Sequence, residues 1–288
     1  MINLVSPLIS LITVVKDNLD GLKITANSIV SQNFDEFEWL IVDGFSTDGT
    51  WEYAQNLSSH PFVTLLQTPP LGIYEAMNFG AKQSTGAWLW FINSGDVLLA
   101  DQILANMKEI IQKNSNVSII ASPVVYLTPS QHYYSLSIPK VIGRESSQYA
   151  IFHHQGCILN GMIFSQVGGF DETFRFAADG KLIDSMISIS NSAIVPIVTV
   201  GFEMGGATSK NFWRSLNEIR IYRHQVLTKR GMVLYQIKET LRGWMLKIDE
   251  TSLGRTFLTP YLQRREESVI DSAELTGLVI PRKHRVIG

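Results

Sequence analysis

The first 121 residues alternate continuous apolar runs with segments of helical period, and that alternation restricts the fold more than any other feature of the chain. Leu8–Val15 (LISLITVV) is unbroken and rich in β-branched residues, the pattern of a strand buried on both faces. Leu22, Ala26, Ile29 and Val30 then fall on one helix face. Phe37–Val42 reads as a second strand ending at Asp43, Gly49–Leu57 as a helix and Phe62–Leu66 as a third strand. Ile73, Ala76, Met77, Gly80 and Ala81 mark the next helix face, with core packing expected for Ile73, Ala76 and Met77. Ala87–Ile92 is a fourth strand, Ile103, Leu104, Met107, Ile110 and Ile111 a further helix, and Val117–Ala121 a further strand. Successive strand–helix units predict a mostly parallel, doubly wound sheet.

Beyond residue 122 the rhythm breaks. Residues 123–150, rich in Ser, Tyr and Pro, read as irregular strands and loops. Cys157–Phe164 reads as a strand, Leu182, Ile183, Met186 and Ile187 as a short helix, and Ala193–Val200 as an apolar strand interrupted by Pro196. From Asn211 the pattern is mainly helical, whereas the last 35 residues or so show no clear period.

Charge is distributed unevenly. The net charge is only -2, but residues 1–209 carry 9 basic and 18 acidic side chains, and residues 210–247 carry 9 basic and 2 acidic. An acidic body argues against nucleic acid as a partner. A composition of 45% hydrophobic and 17% charged residues excludes disorder. The single cysteine, Cys157, cannot form an internal disulfide, and no apolar run reaches the roughly 18–20 residues of a spanning helix. The N-terminus lacks the basic region and cleavage site of a signal peptide, so a cytoplasmic location is expected.

In open parallel sheets ligands bind beyond the carboxyl ends of the strands. The four loops there are Lys16-Asp17-Asn18, Asp43–Thr50, Pro69–Gly72 and Asn93-Ser94-Gly95-Asp96. Three carry acids, and no loop has a glycine pattern that cradles phosphate, which argues against dinucleotide oxidoreductases and P-loop nucleotidases. A carboxylate such as Asp43 can accept hydrogen bonds from a base or a ribose. One such as Asp96 can hold a hard cation that bridges a diphosphate. Ordinary turn chemistry is the competing reading for each acid alone.

The ordered set TVVKDN, VDGFSTDGT, GIYEAMNFG and STGAWLWFINSGD, continued by HHQGCILNGMIF, GGFDETFRFAADGKL and FEMGGATS, resembles the family 2 glycosyltransferases over about residues 8–209. The likeness is to the bacterial branch that builds extracellular and surface polysaccharides. It implies a GT-A-like α/β fold, with a mostly parallel central sheet flanked by helices. The catalytic domain would span residues 1–209, followed by a basic amphipathic helical extension over 210–250 and a tail over 251–288.

The resemblance also implies roles. Thr13, Val15 and Asp43 would line the base and ribose pocket. Tyr74 and Asn78, four apart on one helical face, would point together at the donor, with Asn93 beside them, and Glu75 stands where the family has Asp. Asp96 would bind a divalent cation, Mn or Mg. Gly95 replaces the first acid of the family's pair, which leaves cation affinity and ligand number open. Asp179 would be the general base, placed just before a short helix, with an N-cap as the alternative reading. Asp171 and Glu172 read as turn residues. His154 and Gln155 would lie on the acceptor side. A zinc site of His153, His154 and Cys157 lacks a fourth ligand. Gly205 and Gly206 would sit in a loop over the diphosphate.

The expected reaction is inverting transfer of a sugar from a nucleotide-sugar donor, a UDP-sugar first among them, to a glycan or lipid-linked hydroxyl. Rival readings are a sugar-nucleotide nucleotidyltransferase and a degenerate, non-catalytic sugar-nucleotide-binding scaffold. For the basic block over 210–247, docking on an anionic membrane surface, which would place the protein on the inner face of the membrane, competes with packing on the catalytic domain.

Overall fold

A computed structural model of the chain describes residues 7–127, 133–142, 149–203 and 211–222. Its first half follows the alternation: β1 (Ile9–Val15), α1 (Leu19–Val30), β2 (Phe37–Asp43), α2 (Thr50–Leu57), β3 (Val63–Gln67), α3 (Ile73–Gln83), β4 (Trp88–Phe91), β5 (Val97–Leu98) and α4 (Ile103–Lys113). Then come β6 (Ile119–Ala121), β7 (Val124–Leu127), β8 (Tyr133–Ser137), β9 (Lys140–Ile142), β10 (Tyr149–Ile151), a single 3-10 turn (His154–Gly156) and β11 (Cys157–Asn160). The described chain closes with α5 (Gly161–Gln166), α6 (Ala178–Ile189), β12 (Ser192–Ile194), β13 (Val200–Glu203) and α7 (Phe212–Tyr222).

The central sheet has seven strands in the order β12-β6-β11-β4-β1-β2-β3. β1 pairs in parallel with both β2 and β4, and β2 with β3. The chain therefore winds outward from β1 through β2 and β3, then returns to place β4 on the other side of β1. The crevice at this reversal of direction is where a doubly wound sheet binds ligands. β11 departs from the expected parallel order: it lies antiparallel between β4 and β6. A second, four-stranded sheet runs β5-β13-β7-β8.

Because side chains alternate along a strand, β1 serves two cores. Ile9, Leu11 and Val15 join Trp39, Ile41 and Trp90 in the core that includes Leu22, Ala26 and Ile29 of α1, Ala54 of α2, and Leu104 and Met107 of α4. Ile12 and Val14 join Leu40, Val42 and Phe91 in the other, with Met77 of α3, Phe164 of α5, and Ile183 and Met186 of α6. Each fully buried aliphatic or aromatic side chain contributes about 1.5–3 kcal/mol.

Four local expectations change. Val30 and Ile73 are exposed, at the rims of their helices rather than in the core. The run Cys157–Phe164 is not one strand. Asn160 ends β11, and its side-chain oxygen accepts from the amides of Met162 and Ile163, which starts α5 inside the apolar run. Ala193–Val200 divides around Pro196, with β12 in the central sheet and β13 in the smaller one. Asp179 neither precedes α6 nor caps it. It is the second residue of α6, whose N-cap, Ala177, has no side chain able to cap.

Candidate active site

The loops at the crevice are tied to one another, and the ties sort the strand-end acids. Asp17, at φ +46°, accepts from the Thr47 amide at 2.7 Å and pairs with Lys16 at 3.0 Å; the Thr47 bond first, then Lys16, lowers its carboxyl pKa. Asp48 accepts from the amide and hydroxyl of Thr50 and from the Leu19 amide, joining the starts of α1 and α2. These two acids hold the loops together. Phe45 also has a positive φ, +58°, and leaves its ring half exposed beside Asp43. Asp43 is fully buried. Its Oδ2 accepts from the Ser46 amide and the Gln67 side chain, while its Oδ1 has no partner among the described residues. A buried carboxylate oxygen without a donor is costly, and a ligand N–H or O–H would satisfy it.

Thr13 of β1 is fully buried. Its hydroxyl donates to the Ile92 carbonyl at 2.6 Å and accepts from the Trp39 indole at 2.9 Å. Period two places it on the α1 side of the sheet, so the hydroxyl is spent in the core. Val15, the last residue of β1, is buried in the same core.

The loop after β4 is held by α1. Thr25 donates to the carbonyls of Asn93 and Asp96 and accepts from the Gly95 amide, and Asn18, the N-cap of α1, donates to the Ser94 carbonyl. Gly95 has φ +103°, a conformation that an acidic residue adopts only under strain, so the backbone here is built for the residue that replaced the acid. Asp96 is 6% exposed and accepts from the Asn93 amide at 2.8 Å. Burial pushes its carboxyl up to about 7, against the opposing effects of the His154 charge and the Asn93 N–H.

On the opposite core face, α3 and α6 bring Tyr74 and Asp179 together. Asp179 Oδ1 accepts from the Tyr74 hydroxyl at 3.2 Å and from the Gly180 amide at 2.8 Å, and Oδ2 lies 3.1 Å from His154 Nδ1. Burial raises its pKa, but His154, the Gly180 amide and Tyr74 together outweigh burial and hold the carboxyl below its usual value. The Tyr74 hydroxyl moves well above its usual value through burial first and the Asp179 charge second. His154 Nε2 faces Asn93 Nδ2 at 3.2 Å, and Asn93 Oδ1 is buried without a partner among the described residues. One bonded chain thus runs from Asp96 through Asn93 and His154 to Asp179 and Tyr74. Facing a carboxylate, which can only accept, Nδ1 is a ring nitrogen that bears hydrogen and donates to Asp179.

Asn78 of α3 reaches the turn after α5. Its amide accepts from the Phe170 amide at 2.9 Å and donates to the Phe170 carbonyl and to Glu172, so it clamps the GGFDE turn instead of joining Tyr74 at the site. Asp171, paired with Lys181 and accepting from Thr173, is held down to about 2. Gln155 uses its carbonyl to accept from the Trp90 indole. The two histidines diverge: His153 bonds Tyr126 at 2.9 Å, away from His154, and Cys157 is buried and donates to the His153 carbonyl. They do not form a zinc set. Gly205 and Gly206 lie outside the described residues.

The glycosyl transferase family 2 profile matches residues 10–168, more than half of the chain. The chain belongs to that family. A PGL/p-HBAD biosynthesis glycosyltransferase of Mycobacterium bovis (strain BCG) is 24% identical over 264 residues, covering 88% of this chain and 97% of its own. An uncharacterized glycosyltransferase of Mycobacterium tuberculosis is 25% identical over 209 residues, 71% of this chain and 78% of its own. S. aureus TarS 1-349 in complex with UDP-GlcNAc superposes with TM-score 0.58 at 15% identity, covering 94% of this chain and 92% of that one. The mannosyltransferase PcManGT from Pyrobaculum calidifontis, in complex with GDP-Man and Mn2+, superposes with TM-score 0.57 at 14% identity, covering 96% and 77%. The fold of this family 2 glycosyltransferase is therefore GT-A-like. Family membership decides against a nucleotidyltransferase and in favour of an enzyme over a scaffold. The matched segment ends before Asp179, so the base side of the site rests on geometry alone.

Sequence reasoning missed one contributor. Glu218 of α7 accepts from the amides of Arg175, Phe176 and Ala177 at 2.8–3.0 Å, just ahead of Asp179. No local pattern marked it, because the amides it serves lie 41–43 residues away in sequence.

Proposed function

We propose that this family 2 enzyme transfers a sugar from a nucleoside-diphosphate donor, a UDP-sugar in the first instance, to a hydroxyl of a glycan or lipid-linked acceptor, with inversion in a single displacement. The observation that carries this reading is the ionised, partly accessible carboxylate of Asp179, its side chain 29% exposed, held by His154 and Tyr74 at the crevice end of the sheet. A hydroxyl attacking an anomeric carbon sheds its proton as the new bond forms. A fixed carboxylate within hydrogen-bond reach can take that proton even when its own pKa is low, because the attacking oxygen is by then strongly acidic. His154 keeps Asp179 oriented for that transfer, and Asp43 Oδ1 receives an N–H or O–H of the base or ribose. His154 and Gln155 face the acceptor.

The residues present fit a divalent cation shared with substrate. Among the described residues no group of three His, Cys, Asp or Glu gathers to hold a metal, and Mg²⁺ or Mn²⁺ commonly takes one or two carboxylates plus phosphate oxygens. Asp96, an acid whose buried charge calls for a counter-ion, would be the protein's share, and the cation when bound neutralises charge on the departing diphosphate.

The test is nucleotide release from a panel of UDP- and GDP-sugars with Mn²⁺. The wild type turns over at least one donor and yields the inverted anomer. Asp179→Asn loses at least 100-fold in turnover, of the order general-base catalysis supplies, and keeps its affinity for UDP. Unaltered turnover by that variant would overturn the assignment of the base.

The outer side of α7 supports the membrane partner: Trp213, Arg214, Arg220 and Ile221 are exposed there. No described helix is long and apolar enough to cross a membrane. Flotation with anionic phospholipid vesicles at moderate salt captures the protein if the reading holds, and its absence from the floated fraction defeats it.

A further inference from the structure

The first turn of α6 carries Asp179, and its N-cap, Ala177, has no side chain able to cap. The segment that leads into the helix is held instead from 41–43 residues downstream. Glu218 Oε1 accepts from the Arg175 amide at 3.0 Å, and Oε2 accepts from Phe176 at 2.8 Å and Ala177 at 3.0 Å. Both oxygens are engaged, and bonds from amides to an ionised acceptor are among the stronger hydrogen bonds. The same helix also touches the chain just past Asp179. The Tyr222 hydroxyl occupies the space that a Cβ at residue 180 would need, and the Tyr222 ring meets Phe174 edge-on at 6.1 Å. Ile219 packs with them against the core beneath α6. α7 therefore grips the segment on both sides of the carboxylate, at 175–177 and at 180.

Resting on the reading of Asp179 as the base, we propose that Glu218 is a positioning residue for the transfer step, and that α7 is the strap that sets Asp179 against His154 and Tyr74. The consequence is a division of labour along the chain. Asp43, Asn93 and Asp96 on the donor side are held by ties that do not involve α7. The acceptor side acquires its geometry only when α7 is docked. Freed from Glu218, the start of α6 frays, and Asp179 loses a fixed distance to its partners. A misplacement of about 1 Å costs on the order of 100-fold in rate, while donor binding is untouched.

The experiment compares wild type, Glu218→Gln, Glu218→Ala and, as a control on the solvent side of the same helix, Asn217→Ala. Three quantities are read: nucleotide release from the best donor of the panel, UDP affinity in the presence of Mn²⁺, and amide hydrogen exchange at residues 175–180. Glu218→Gln is expected to lower kcat about 10- to 100-fold, to leave KM for the donor and the affinity for UDP within about twofold, and to speed exchange at Arg175, Phe176 and Ala177. Asn217→Ala changes none of these. Glu218→Asp, which retains the charge but shortens the reach, recovers part of kcat. Should Glu218→Ala fail to fold, Glu218→Gln and Tyr222→Phe carry the test. Unchanged exchange in Glu218→Gln, or parallel losses of kcat and UDP affinity, overturn the proposal. A wild type that releases no nucleotide from any donor overturns the catalytic reading instead, and the exchange rates then decide separately whether Glu218 holds the turn.

Discussion

Replacing Asp96 by Asn should make this enzyme more stable and inactive, and the gain should depend on pH in a defined way. Asp96 is 6% exposed, and its carboxyl is pushed from 3.8 to about 7, by burial above all. Between those two values the folded chain holds a proton that the unfolded chain has released. The stabilisation from that proton is complete below pH 3.8 and is lost as pH rises through about 7. The interval of 3.2 units corresponds to about 4 kcal/mol at 1.36 kcal/mol per unit. Asn reproduces the protonated form, its oxygen still accepting from the Asn93 amide, but it never ionises. In the absence of divalent cations Asp96→Asn should therefore exceed wild type by about 4 kcal/mol at pH 8 and by about 2 kcal/mol at pH 5. For a chain of this size that is roughly 7 °C and 3 °C in Tm. Thermal unfolding followed by tryptophan fluorescence in EDTA, at pH 5, 6, 7 and 8, gives the curve. Adding Mn²⁺ and UDP should then raise the wild-type Tm and not that of Asp96→Asn. A variant that is less stable than wild type at pH 8, or whose advantage is the same at every pH, would refute the argument that a buried charge is kept here for a cation.

Two further outcomes follow from the site. His154→Ala removes the partner that does most to offset the burial of Asp179, so the carboxyl rises and the acid limb of the kcat/KM profile moves to higher pH, with activity at least tenfold lower; an unmoved limb counts against the bonded chain. Thr13→Val leaves the buried Trp39 N–H without its acceptor, costing about 1–3 kcal/mol in urea unfolding, while the affinity for UDP stays at the wild-type value, because the hydroxyl faces the core and not the nucleotide.

The sheet and its crevice were legible because they rest on periodicity. Where apolar runs of β-branched residues alternate with helical faces, few arrangements bury both, and the loops at the switch point carried the acids Asp43 and Asp96 in plain view. The antiparallel insertion of β11 was not legible, since Cys157–Phe164 stays apolar straight through the change from strand to helix and only Asn160 marks the boundary. Side-chain direction was legible only in part. Tyr74 and Asn78 do share a helix face, but a helix face is broad enough for one to meet Asp179 and the other the GGFDE turn. The direction of Thr13 follows from period two: it shares the face of Leu11 and Val15, where its hydroxyl meets the Trp39 indole.

The charge split also takes on a different meaning. The block from 210 to 247 holds nine bases and two acids, which invites a reading in terms of what the bases touch. In the described part of that block, α7, the decisive residue is the acid. Glu218 turns toward the catalytic domain and is consumed by three amides, while Arg214 and Arg220 stay in solvent. A helix that sends its carboxylate inward and leaves its cations outside becomes basic on its free face as a by-product of docking. Packing on the catalytic domain and presenting a positive surface are therefore compatible here, because they use opposite sides of one helix. An anionic membrane surface that engaged those cations would act on the same element that holds Asp179 in place.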